Sequence, residues 1–62
     1  MPEDTFEAIA KLGYVGMTGL IRAREDKVIS PEEYQACRAY ALAALHGDRD
    51  KFRALMFGGK LR

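Results

Sequence analysis

A cysteine and a histidine in the second half of the chain are the side chains best suited to nucleophilic catalysis. Cys37 and His46 are the only thiol and the only imidazole among the 62 residues, and a thiol becomes a useful nucleophile when a base lies beside it. Nine residues separate them within one predicted helix, which at about 100° per residue places them on opposite faces. The spacing therefore predicts no catalytic dyad, and we expect Cys37 to be a buried, inert thiol. We expect no enzyme activity and no catalytic residue.

An acidic stretch before the second predicted helix raises the question of a calcium site. Residues 26–34 resemble the second half of an EF-hand loop, with Glu33 in the position of the last, bidentate ligand. Arg22 and Arg24 stand where the first and third acidic ligands would be, and two cations inside a calcium site are prohibitive. One cysteine and one histidine also fall short of a zinc site. The sequence thus predicts no metal ion and no cofactor.

Basic residues are concentrated near the C-terminal end, where a nucleic-acid surface has to be considered. Between residues 49 and 62, Asp50 is the only acidic residue against five basic ones: Arg49, Lys51, Arg53, Lys60 and Arg62. The segment around Gly47 loosely resembles a helix-turn-helix, whose second helix presents its first turn to the bases. Asp48 and Asp50 would face the DNA there, and the net charge of the chain is only +1. The sequence argues against a nucleic-acid partner, and a small DNA-binding transcriptional regulator is the alternative function.

Helices have to position all of these residues, because apolar side chains recur at helical spacing along the chain. The predicted fold is all-α in a single domain over 1–62. It consists of a helical hairpin, with helices at about 5–24 and 31–46, a short third helix at 49–57 across one end, and a tail at 58–62. Ser30 and Glu33 form a predicted capping box with Pro31 at the first helical position, and Asp48 is the expected cap of the third helix. The alternative for the first helix is a break at Gly13–Gly16 into two shorter pieces.

The first predicted helix has more apolar surface than one neighbour can cover. Its apolar side spans about half of the cylinder, against about 100° for an ordinary surface helix, and consists of Phe6, Ile9, Ala10, Leu12, Gly13, Gly16, Met17, Leu20 and Ile21. We expect Gly13 and Gly16 to allow close approach of the alanine-rich segment 36–44. Gly19, beside Val15, is then expected to contact a partner outside the chain.

Length and composition bound the class of protein. A domain of this length has a small core that disulfides, metals or oligomerisation usually reinforce, and the lone cysteine leaves oligomerisation or a larger partner. The charge-free run from Leu12 to Ile21 is far shorter than the stretch of about 20 residues that spans a membrane. The acidic start does not fit a signal peptide. We expect a cytoplasmic protein without membrane contact, from a short free-standing reading frame of the kind that phages and other mobile elements encode.

The surplus of apolar surface leads to the predicted function. We expect a non-catalytic protein–protein interaction module, a small adaptor or inhibitor that occupies the surface of a larger host or cognate protein. Association of two copies into a homodimer is the other use of the same surface. The expected contact residues lie on the exposed remainder of the first helix and in the C-terminal segment: Tyr14, Val15, Gly19, Arg53, Phe57, Lys60 and Arg62.

Overall fold

The computed structural model describes residues 2–57. These residues contain four α-helices and no strand. The helices are α1 (Pro2–Lys11), α2 (Gly16–Glu25), α3 (Pro31–Gly47) and α4 (Arg49–Met56). The all-α prediction is confirmed, and so are the second and third predicted helices to within a residue or two. The first predicted helix is different.

The first predicted helix is broken between α1 and α2, so the expectation of a continuous helix over 5–24 is wrong and the alternative break is confirmed. Gly13 has φ +96°, a left-handed conformation that glycine adopts without steric cost. The Gly13 N–H donates to the Ala10 carbonyl and the Tyr14 N–H donates to the Ile9 carbonyl, both at 3.0 Å. This is the Schellman pattern, in which the last free carbonyls of a helix are satisfied and the helix ends.

The first two glycines therefore act in a turn and not in helix packing. Gly16 also has a left-handed φ, +75°. A Cβ added at Gly13 or at Gly16 would meet no atom within 4 Å. The expectation that Gly13 and Gly16 pack against the alanine-rich segment is wrong, because both adopt left-handed φ angles where the backbone turns from α1 into α2.

The end of α2 repeats the same backbone pattern without a glycine. The Lys27 N–H donates to the Arg24 carbonyl at 3.0 Å, and the Val28 N–H donates to the Ala23 carbonyl at 2.8 Å. Lys27 occupies the left-handed position, with φ +62°. A residue with a Cβ is less favourable there than glycine, so the α2 end carries a local cost that the α1 end does not.

The capping box predicted at the start of α3 is confirmed. The Ser30 Oγ accepts from the Glu33 N–H at 3.0 Å, and the Ser30 N–H donates to the Glu33 Oε1 at 2.7 Å. Ile29 and Tyr34, which flank the box, are both buried in the core. The start of α3 is thus fixed both by hydrogen bonds and by apolar burial on either side of the cap.

The longest helix, α3, is the centre of the fold, because it packs against each of the other three helices. α1 also contacts α2 and α4. The Asp48 side chain accepts from the Lys51 N–H at 3.1 Å and caps α4, as expected. The core contains side chains from all four helices and the α2–α3 connection: Phe6, Ile9, Leu20, Ala23, Ile29, Tyr34, Cys37, Ala41, Ala44, Leu55 and Met56. Three shorter helices around α3 replace the predicted hairpin of two long helices.

Candidate functional site

The thiol and the imidazole lie apart, as their spacing predicts. Cys37 faces the core and is 1% exposed, whereas His46 is exposed at the other end of α3. Burial raises the pKa of the Cys37 thiol, against a smaller opposite effect of its hydrogen bond with Thr5. The Sγ atom lies 3.9 Å from the Pro2 carbonyl oxygen, within reach of a weak hydrogen bond. Cys37 therefore stays protonated and packed, in the state of a structural thiol.

An open hollow of about 420 Å³ lies between the α1–α2 turn and α2, and we call it the corner hollow. Three of the residues predicted to bind a partner, Tyr14, Val15 and Gly19, line it together. The other lining residues are Gly13, Thr18, Arg22 and Asp26. The structure thus brings the N-terminal group of predicted contact residues to one place. Two of them, Tyr14 and Gly19, already make contacts within the chain.

The Tyr14 side chain is fixed by a hydrogen bond across the corner hollow. Its hydroxyl donates to the Asp26 Oδ2 at 2.7 Å, which joins the α1–α2 turn to the end of α2. This hydrogen bond is the main cause of the raised pKa of Tyr14. Partial burial and the Asp26 charge add to the effect, while Arg22 opposes it. Tyr14 is therefore a neutral phenol whose polar end already has a partner.

Gly19 is buried and makes a close contact inside the chain. A Cβ at this position would lie 2.6 Å from the Tyr14 carbonyl carbon, which is backbone and cannot give way cheaply. The absence of a side chain at Gly19 is therefore explained by the turn that packs on it. Its contact with an outside partner stays a prediction, and Val15, 43% exposed, is the more accessible neighbour.

A second hollow, the apolar groove, has a volume of about 250 Å³ and lies between α1 and the start of α3. Its floor contains the buried Ile9 and Ile29, and its rim contains Leu12 and Val28, which are 66% and 40% exposed. The remaining lining residues are Asp4, Thr5, Ala8 and Glu33. Two large aliphatic side chains thus stand in solvent on the rim of one concave surface.

Sequence reasoning missed this groove because it placed Leu12 on the core-facing side of a continuous helix. The Schellman end of α1 makes Leu12 the last residue before the left-handed Gly13, so its side chain leaves the helix beside the α2–α3 connection. The signal that could have revealed it is Gly13 directly after Leu12, a common way for a helix to stop.

The charged residues lining the apolar groove are Asp4 and Glu33, both acidic. Both are exposed, and the Glu33 carboxylate is oriented by the Ser30 N–H that it accepts in the capping box. Carboxylates at the edge of an apolar surface favour a partner that brings cations beside its apolar contact, because charge complementarity sets orientation and encounter rate.

The C-terminal group of predicted contact residues is described only in part. Arg53 is exposed on α4 and Phe57, the residue after this helix, is 49% exposed. Lys60 and Arg62 lie outside the described residues. We call the group of Arg53 and Phe57 the α4 end.

Lys51, another basic residue of α4, contacts α1. The Lys51 ammonium lies 3.8 Å from the Glu3 carboxylate and 5.3 Å from the centre of the Tyr40 ring. The Tyr40 hydroxyl donates to the same Glu3 carboxylate at 2.7 Å. A hydrogen bond with Tyr40 is the main cause of the raised pKa of Lys51, and Glu3 and Asp48 add to it. Lys51 is thus part of the α1–α3–α4 contact, and the other two exposed cations of α4 are Arg49 and Arg53.

The connection between α3 and α4 differs from that of a helix-turn-helix. A single residue, Asp48, separates the two helices, whereas the DNA-binding motif uses a turn of about 3–4 residues. α4 has eight residues and carries Asp50 in its first turn. This geometry does not favour insertion of α4 into a major groove.

Among residues 2–57, no three side chains of the types that bind metals lie together. No helix in this range has the length and apolar character needed to cross a membrane. Comparison of the chain with protein-family models, with curated proteins and with solved structures finds no match.

Proposed function

We propose that this protein is a non-catalytic interaction module, a small adaptor or inhibitor that acts by covering the surface of a larger protein. The observation that carries the proposal is the apolar groove, where Leu12 and Val28 are exposed over a floor of buried isoleucines. A domain of this length buries only a modest share of its surface on folding, so each large apolar side chain left outside the core is a loss to its stability. Large aliphatic side chains left together on a concave surface are typical of a site that a partner covers.

Burial of the exposed side chains of this groove would contribute enough free energy to support binding of a partner. Full burial of a leucine or valine side chain contributes about 1.5–3 kcal/mol. Leu12 is two-thirds exposed and Val28 less so, so the pair supplies a few kcal/mol before the costs of association. Val15, 43% exposed, lines the corner hollow and is a separate exposed apolar side chain. The pair of Leu12 and Val28 has the character of a binding hot spot with a polar rim.

The chemistry of the described residues supports binding better than catalysis. The thiol of Cys37 is buried with a raised pKa, and the phenol of Tyr14 is hydrogen-bonded to Asp26. Neither is presented to a cleft as an activated nucleophile or base, which is what acyl or proton transfer would require. The described residues therefore offer a partner a concave shape and exposed apolar side chains.

Affinity capture with matched variants tests the proposal. The tagged protein and its Leu12→Ser and Ile21→Ser variants are incubated with lysate of the native host, and retained proteins are quantified by mass spectrometry. Leu12 lines the groove and is 66% exposed, whereas Ile21 is an aliphatic residue on α2 that is 39% exposed and lines neither hollow. We expect one protein to be retained by the wild type and by Ile21→Ser and to be at least about fivefold depleted with Leu12→Ser. Equal retention by all three would refute the groove as the functional surface.

A further inference from the structure

The apolar groove and the α4 end have complementary chemistry. The groove combines exposed aliphatic side chains with the carboxylates of Asp4 and Glu33. The α4 end presents Phe57, half-exposed, with the exposed guanidinium of Arg53 one helical turn before it. The sequence continues beyond Phe57 with two more cations and a leucine, Lys60, Leu61 and Arg62. One chain thus carries both an acidic apolar recess and a basic aromatic projection.

We propose that a second copy of this chain occupies the apolar groove, with its Phe57 against Leu12 and Val28 and its Arg53 beside Asp4. This inference rests on the proposed function in that it concerns the same groove. It names self-association as the state of the isolated protein, from which a larger partner must displace the second copy. Such a partner is expected to present the same chemistry, an aromatic or aliphatic side chain flanked by cations.

The positions of the two surfaces favour contact between copies over contact within one chain. α1 meets α4 on the side of Glu3, whose carboxylate pairs with Lys51. Ala8, in the middle of the groove wall, is five residues further along α1 and about 140° around the helix from Glu3. No residue of α4 lines the groove. The α1–α4 contact and the groove therefore lie on different sides of α1, so a second molecule is the simpler way to bring an α4 end into the groove.

A two-fold arrangement makes this contact twice and closes the assembly at a dimer. Each copy then supplies one groove and one α4 end, so that the same surfaces are used on both subunits. The patches are small compared with a standard interface of about 800 Å² per partner. We therefore expect weak association, with a dissociation constant of about 10 µM to 1 mM.

Sedimentation equilibrium with charge-reversed variants of the full chain tests the inference. The wild-type mass should rise from that of the 6.9 kDa monomer towards the dimer as the concentration increases to about 1 mM. Asp4→Arg places like charges together with Arg53 of the other copy, and Arg53→Asp does the same with Asp4. Each variant alone should dissociate at least about tenfold more readily than the wild type. An equimolar mixture of the two should associate again, because both contacts in the mixed dimer pair opposite charges.

Glu7→Arg is the matched control. It makes the same charge change at an exposed α1 position that does not line the groove, and its dissociation constant should equal that of the wild type. Leu12→Ser against Ile21→Ser gives a second comparison that depends on apolar contact alone, with far-ultraviolet circular dichroism to verify folding.

Three results would overturn self-association through the groove. The first is a wild type that stays monomeric at every concentration, which is also the result expected if the groove is covered by the tail of its own chain. The second is a dimer indifferent to Asp4→Arg and Leu12→Ser. The third is a mixture of the charge-reversed variants that does not associate. None of these results affects the capture of a larger protein, so the two proposals fail separately.

Discussion

Three glycines within seven residues solve three different local problems. Gly13 ends α1 in a left-handed conformation, and Gly16 takes the same conformation where α2 begins. Gly19 has ordinary helical geometry and is required for space, because the Tyr14 backbone packs directly on its Cα. Identical residues at a regular spacing therefore do not indicate a shared packing stripe. The same backbone contact places Val15 and the Tyr14–Asp26 hydrogen bond at the corner hollow.

Gly19→Ala should destabilise the protein, with Gly47→Ala as the matched control. The new methyl group would lie 2.6 Å from the Tyr14 carbonyl carbon, whereas at Gly47 it would meet nothing within 4 Å. Overpacking of this kind costs about 1–3 kcal/mol, partly offset by the better helix propensity of alanine. We expect a loss of about 1–2 kcal/mol in the free energy of unfolding for Gly19→Ala, and no loss for Gly47→Ala. Urea denaturation followed by circular dichroism measures both, and equal stabilities would contradict the close contact.

Helix ends decide the architecture at the scale of elements. α1 and α2 both stop in a Schellman pattern, and each stop sends the chain back towards α3. The stop after α1 also turns Leu12 out to the rim of the apolar groove, and the stop after α2 places Val28 on the rim as well. The groove is thus a direct product of two helix ends. The capping box at Ser30 then fixes where α3 begins and holds Glu33 beside it.

Lys27→Gly should stabilise the end of α2. Lys27 has φ +62°, and an L-residue in the left-handed region costs about 1–2 kcal/mol that glycine avoids. After the entropy that glycine loses on folding, we expect a gain of about 0.5–1 kcal/mol, or a rise in Tm of about 2–8 °C for a domain of this size.

Lys27→Ala is the control for that substitution, since it removes the same charge and stem but keeps the Cβ. Thermal unfolding of the three proteins at one pH measures the difference. A stability of Lys27→Ala equal to that of Lys27→Gly would show that the lysine side chain, and not the backbone conformation, carries the cost.

The whole molecule is organised around α3, with α1, α2 and α4 covering its buried side. Its small, cysteine-lined and alanine-lined face lets the three shorter helices approach closely, and the large core side chains come mostly from these helices. This arrangement leaves the α1–α4 contact and the apolar groove on different sides of α1. Charge at this scale is acidic at the groove and basic at the α4 end, which is the complementarity that the proposed protein contact uses.

The alternative DNA-binding function makes a separate prediction. Binding to a fluorescein-labelled random duplex is measured by anisotropy while salt is raised from about 20 to 200 mM, a range over which phosphate contacts lose much of their affinity. We expect no salt-sensitive binding, because the net charge is +1 and Asp48 and Asp50 lie at the start of α4. Affinity that falls with salt and is weakened by Arg49→Ala, with Glu7→Ala as the unaffected control, would support the DNA-binding regulator instead.

The sequence by itself determined the features that depend on neighbouring residues. The all-α class, the Ser30 cap, the Asp48 cap and the burial of Cys37 follow from hydrogen-bonding groups and apolar spacing within a few residues of each other. The opposite placement of Cys37 and His46 follows in the same way, because an intact helix fixes the angle between them.

Only the tertiary structure decided how the first half of the chain folds and where a partner can bind. A glycine inside an apolar pattern is compatible with a continuous helix or with a stop, and the local energies differ by about 1 kcal/mol. Packing of both α1 and α2 on α3 favours the stop, since two short helices bury Ile9 and Leu20 together. Leu12 leaves the core as a result, and the apolar groove forms between residues distant in sequence. Such a surface depends on contacts across the fold, which no local pattern specifies.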